Sequence, residues 1–160
     1  IDIGLSETAL NIIGYPLTDK QHPKSVVDGQ FSMPFCAAVT VKSGGLQWDD
    51  YKNHLNNKDT LSLCNKIKVS PDEDAEKCCP EYMSAKVKVV VKGEKYEKFV
   101  KIPKGEPENF MEDVEFISKF KGLTEPYLTK QRVDQLTDLM LKIDQANNVN
   151  SLFEYSQIDI

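Results

Sequence analysis

Residues 85–102 read AKVKVVVKGEKYEKFVKI. Val87, Val89 and Val91 alternate with Lys86, Lys88 and Val90, close to the period of two that puts successive side chains on opposite faces of a strand. The Gly93-Glu94 pair at the centre suits a tight turn, so the segment predicts a β-hairpin. Tyr96, Lys98, Val100 and Ile102 carry the second arm less cleanly. One face of the hairpin is expected to be buried and the other wet and basic.

Working outward, residues 1–13 read as a further strand with Ile1, Ile3 and Leu5 on one face. A loop follows through Pro16 and Pro23. The stretch 28–45, DGQFSMPFCAAVTVKSGG, predicts a helix over 33–42: Ser32 can cap it, Pro34 in its first turn costs no hydrogen bond, and Gly44-Gly45 ends it. WDDYKNHL and DTLSLCNKI predict two short helices, the second capped by Asp59. KVSPDEDAEKCCPEY reads as a polar loop carrying acids. Downstream, Phe110, Met111, Val114, Ile117 and Phe120 recur at helical spacing. Val133, Leu136, Met140 and Ile143 do so again from about residue 129, up to a break at Asn147-Asn148. The expected fold is α+β: a two-layer sandwich with a small, mainly antiparallel sheet covered by several helices, in a single domain over 1–160.

The chain has 160 residues, 40% hydrophobic and 28% charged, with a net charge of −5, the profile of an ordinary globular protein. That charge, and the lack of a basic stripe with interleaved aromatics, argue against nucleic acid as a partner. Apolar runs are too short to span a bilayer, so no membrane is expected either. Cys36, Cys64, Cys78 and Cys79 show no zinc-ligand spacing, and the reading is a reduced intracellular protein. Ile1 begins in what looks like mid-strand, which suggests a piece of something larger.

Candidates for chemistry are few. His22 and His54 have no partner at metal-ligand spacing, so no metal is assigned. Asp72, Glu73 and Asp74 lack the spaced oxygens and glycine of a calcium loop. Lys86, Lys88, Lys95 and Lys98 fit a wet strand face more simply than an anion site. The helix start at Ser32 admits two readings: a capped core helix with Ala37, Ala38 and Val39 under the sheet, or a place for a carboxylate or phosphate. Spacing alone leans to the first.

Several segments taken in series resemble the C-terminal small domain of the MmgE/PrpD family. QFSMPF at 30–35 resembles the start of the helix that opens that domain. VKGEKYEKFVKIPKGEPENFMEDVEFISKFKGL resembles its hairpin, Pro-Lys-Gly loop and following helix, here with Pro103-Lys104-Gly105, Asn109-Phe110 and Lys119-Phe120. NNVNSL resembles its end. The likeness runs from about residue 20 to residue 153.

The resemblance implies a lyase acting on a small polycarboxylate, through reactions such as 2-methylcitrate dehydration or cis-aconitate decarboxylation. It implies a small α+β lid that forms one wall of an interdomain cleft. The partner is a large helical domain, absent here, that carries the lysine and histidines of catalysis. On this basis Gln30, Phe31, Ser32 and Phe35 face the cleft, no catalytic residue is assigned to this chain, and no cofactor is implied. The isolated chain is expected to be inactive and the whole enzyme a homodimer in the cytoplasm, or alternatively the mitochondrial matrix. Two positions depart from the family: Phe35 stands where a tyrosine is usual, losing a phenol, and Gln30 replaces an arginine. Those departures keep open a second reading, a non-catalytic binding or regulatory module with the lid fold.

Overall fold

The structure is a computed structural model and describes residues 1–158. Its contacts divide the chain into two compact units, Ile1–Phe110 and Met111–Ile160.

In the first unit the hairpin stands where the alternation puts it: β3 (Ala85–Val91) pairs antiparallel with β4 (Glu94–Val100), from Ala85↔Val100 to Val91↔Glu94. The turn is Lys92-Gly93 rather than Gly93-Glu94. Both residues have positive φ, 52° and 88°, the backbone whose twist matches the flanking strands. β1 (Asp2–Leu5) runs antiparallel to β3 and parallel to β2 (Lys68–Pro71), so the sheet order is β2-β1-β3-β4.

Two expectations change here. The first strand stops at Leu5 instead of reaching residue 13, because Ser6 caps a helix. Its Oγ accepts from the Ala9 amide at 3.2 Å, and α1 (Glu7–Ala9) runs into a π-helical turn over Leu10–Gly14. The segment read as a polar loop after residue 67 contains β2 and then α7 (Glu73–Cys78), capped by Asp72.

Between β1 and β2 the chain adds α2 (Leu17–Gln21), α3 (Val26–Gln30), α4 (Met33–Ser43), α5 (Trp48–His54) and α6 (Lys58–Cys64). The first two occupy what reads as loop. α6 is capped by Asn57, not Asp59: the Asn57 side chain accepts from the Thr60 amide at 3.0 Å. The core joins Ile3 and Leu5 of β1 and Val69 of β2 to Leu10, Phe35, Ala38, Val39, Cys64 and Ile67, all buried. Each large apolar side chain there contributes about 1.5–3 kcal/mol of burial. The expected α+β class, a small mainly antiparallel sheet with helices against it, is the observed one.

The hairpin is less covered than expected. All of β4 is exposed, as are Val90 and Val91 near the turn. Lys86, expected on a wet face, is instead largely covered: its Nζ lies 3.0 Å from Asp72 and 2.7 Å from Asp74 and stands over the Phe99 ring.

The second unit is helical. It comprises α8 (Asp113–Thr124), α9 (Lys130–Leu141) and α10 (Asn150–Tyr155). The expected stripes hold only in part: Val133 and Leu136 are buried together with Thr137, whereas Phe110 and Met111 precede α8, Val114 and Met140 are exposed, and Ile143 lies beyond the end of α9. Lys121 of α8 donates to Asp134 of α9 at 2.7 Å, tying the first two helices.

Candidate functional site

The concavity of interest lies in the first unit, along the segment that leads into α4. It measures about 610 Å³, and Tyr15, Thr18, Lys20, His22, Lys24 and Phe31 are among its lining residues. Its shape is set by hydrogen bonds from side chains to distant backbone. Lys20 Nζ donates to the carbonyls of Ile12 (2.8 Å) and Phe31 (2.7 Å), so one ammonium clamps both flanks. Gln21 Nε2 donates to the Cys64 and Ile67 carbonyls at 3.2 and 3.0 Å, tying α2 to the end of α6. Ser25 caps α3 through the Asp28 amide at 3.1 Å, and the Lys24 amide donates to Asp28 Oδ2 at 3.1 Å. Bonding from the Ser25 side chain, then from the Lys24 amide, holds the Asp28 carboxyl below its ordinary value; the charge of Lys20 is a smaller cause.

Ser32 is the keystone beneath this surface. It is 1% exposed. Its hydroxyl donates to the Lys20 carbonyl at 2.5 Å and accepts from the Phe35 amide at 3.1 Å. Of the first three residues of α4, Pro34 has no amide hydrogen and that of Phe35 is taken by Ser32. The helix start is therefore closed by its own cap, and the amide-rich tip that could hold an anion is mostly used up.

The four residues that the family resemblance assigns to a cleft separate into two groups. Phe31 lines the concavity with half of its surface exposed, and Gln30 is exposed at the end of α3 outside the lining. Ser32 and Phe35 are buried. Phe35 is fully enclosed, one turn before Ala38 and Val39 on the same stripe, and its ring stacks on Tyr51 with centroids 6.3 Å apart. A side chain at that spacing points into the core with its neighbours. Within this chain Phe35 therefore supports the floor and does not itself form a surface.

The charges around the concavity nearly balance: Lys20 and Lys24 against Asp19 and Asp28. With Lys20 committed to two carbonyls, Lys24 and His22 are the groups placed to meet an anion. Sequence reading passed over the lysines and set His22 aside as an exposed loop residue; a cation on each side of a histidine between Pro16 and Pro23 was the available signal. His54 has another task. Its Nδ1 lies 2.7 Å from Thr60 Oγ1 and its Nε2 3.2 Å from Ser43 Oγ, so it links α4, α5 and α6.

Among the described residues no three His, Cys, Asp or Glu gather as a metal site, and no helix is long and apolar enough to cross a membrane. All four cysteines are free.

The first unit is thus an α+β unit with a solvent-facing concavity beside the start of its central helix. The profile of the MmgE/PrpD C-terminal domain matches residues 1–145, and the chain belongs to that family. The match ends before Asn147, so the likeness read in NNVNSL lies outside it. No curated protein matches the sequence.

Proposed function

We propose that this chain is the lid of a lyase that acts on a small polycarboxylate, and that its Tyr15–Phe31 surface forms one wall of the cleft. Membership in a dehydratase-like family, over residues 1–145, is the observation that carries the reading. The concavity supports it locally: Lys24 and His22 can meet carboxylates, while Phe31 presents an apolar face to a carbon skeleton. Loss of a proton or a carboxylate from such a substrate needs cations to hold the anion and a base for the proton. This wall offers the first of these, and a helical partner domain supplies the base. The whole enzyme is a homodimer and the isolated chain has no turnover.

A titration of the 15N-labelled chain with 2-methylcitrate, and separately with cis-aconitate, tests the surface. Chemical-shift changes confined to residues 15–31 are expected for one or both. Shifts elsewhere, or none for either acid, refute the placement. Turnover of either compound by the isolated chain refutes the division of labour.

The second reading, a module that kept the fold without catalysis, draws on the same region. Phe35 has no phenol and is enclosed, Ser32 is fully engaged, and Gln30 carries no charge. Joining the chain to a helical domain from the family separates the two readings, because only a lyase lid restores activity.

A further inference from the structure

The edge of the sheet carries a feature that the lyase reading does not use. β4 is the outermost strand, and each of its residues is exposed. Its register with β3 runs without a slip from Ala85↔Val100 to Val91↔Glu94, and it contains no proline. Native proteins usually blunt such an edge, because its free N–H and C=O groups template pairing with another strand.

The two-residue turn fixes which groups are free. Val91 and Glu94 flank it as a hydrogen-bonded pair. Glu94, Tyr96, Lys98 and Val100 therefore point their backbone groups inward to β3, and Lys95, Glu97 and Phe99 point theirs outward.

We propose that this edge joins two copies of the chain, antiparallel, into one continuous sheet about a two-fold axis through Tyr96. Symmetry leaves few registers. A two-fold perpendicular to the sheet pairs residues equidistant from the axis, and self-complementary contact is required. An axis at Glu97 sets Glu97 against itself. One at Lys98 sets Lys98 against itself and Lys95 against Lys101. An axis at Tyr96 opposes Lys95 to Glu97 twice, through the outward-pointing backbone groups, and Glu94 to Lys98 twice on the other face. Every charge within β4 then meets its opposite. The two Tyr96 rings meet at the centre, beside Val89, which pairs with Tyr96 in the hairpin.

Lysines on an edge ordinarily repel a second strand. Here each is matched by a glutamate at the distance that reversal of the strand requires, so the pattern deters other strands and admits its own copy. Glu97 also lies 3.5 Å from Lys88 within the hairpin, both side chains about half exposed. That contact is solvent-screened and leaves carboxylate oxygen available to a second lysine.

Sedimentation of the 160-residue chain, over a range of concentration and salt, tests the pairing. A reversible dimer that weakens with salt is expected. Glu97→Lys turns both Lys95–Glu97 pairs repulsive and is expected to raise the dissociation constant about tenfold or more. Adding Lys95→Glu to Glu97→Lys restores the match and the dimer. Glu97→Pro removes an outward N–H without touching a bond to β3, and is expected to leave only monomer with an unchanged circular-dichroism spectrum. Tyr96→Cys places two thiols across a non-hydrogen-bonded pair with Cα atoms about 4.5 Å apart. Mild oxidation should yield a covalent dimer whose peptide map shows a 96–96 link.

A chain that stays monomeric at every concentration overturns the proposal. So does a dimer indifferent to the charge reversal and to its repair, or an oxidised dimer linked only through the native cysteines. Should the proline variant not fold, the charge swap and the 96–96 link decide the matter.

Discussion

Removing the Ser32 hydroxyl is the sharpest probe of the first unit. Ser32→Ala leaves the Phe35 amide without its cap and the Lys20 carbonyl without its donor, at a site only 1% exposed. Loss of an N-cap costs about 1 kcal/mol, and a part-buried carbonyl stranded without its partner costs about 1 kcal/mol more, the low end of the range for a buried one. The expected destabilisation is therefore about 2 kcal/mol. Ser32→Gly loses the same hydroxyl but is a tolerable cap, costing only a few tenths of a kcal/mol on that count. Its total should be about 1.3 kcal/mol, and the gap between the two variants measures the cap alone. Urea unfolding followed by tryptophan fluorescence suits the test, because Trp48 is the single tryptophan and lies in this unit, edge-on to Tyr51 at 6.2 Å. The midpoint should fall with the slope unchanged. A loss below about 0.5 kcal/mol for Ser32→Ala would mean that the hydroxyl is not holding the two segments together, and the account of the concavity's floor would fail with it.

Three further outcomes are expected. A Cβ at Gly4 would lie 2.6 Å from Asp72 Cβ, where the α7 cap is fixed; Gly4→Ala should destabilise the unit by about 1–2 kcal/mol in the same assay despite the entropic gain of losing a glycine, and a neutral result would show that α7 shifts freely. Asp74 is held below its ordinary pKa of 3.8 by a hydrogen bond from Lys86 and then by its charge; at Asp72 burial opposes ionisation but is outweighed by the Ala75 amide and Lys86. Both folded-state values are depressed, so the stabilisation is complete above about pH 4 and is lost as pH falls below it; Asp74→Asn should flatten the acid-unfolding curve in that window, and an unaltered curve would rule the pair out as a contributor. Burial pushes the Cys64 thiol up to about 11, so Cys64 should resist a thiol reagent at neutral pH until the protein unfolds, and labelling at Cys64 in the native state, read by peptide mass, would contradict its enclosure.

What the sequence disclosed divides by the range of the forces involved. α4 was legible because Ser32, Pro34 and Gly44 act on backbone within one turn of themselves, and the hairpin because its alternation is local. β2 was not, since Ser70, Pro71 and the acids after it have the composition of a loop. Four residues become a strand there only because β1 lies alongside, with Ile3 opposite Val69. Ser6 offered a local cap that the reading of a long first strand overrode.

The candidate site follows the same division. That Phe35 lies on the stripe of Ala38 and Val39 was written in the spacing, while a place for it facing a cleft rests on the family resemblance alone. Lys20 could not be read at all, because its work is to join the carbonyls of Ile12 and Phe31, 8 and 11 residues away. The same holds for Lys86, whose partners lie 14 and 12 residues earlier, in a segment taken for solvent-exposed acids. A flexible cation finds its acceptors only after the backbone has put them in reach. In this chain the lysines most relevant to the shape of the site are thus the residues whose roles depend most on the finished fold, and their sequence neighbours say least about them.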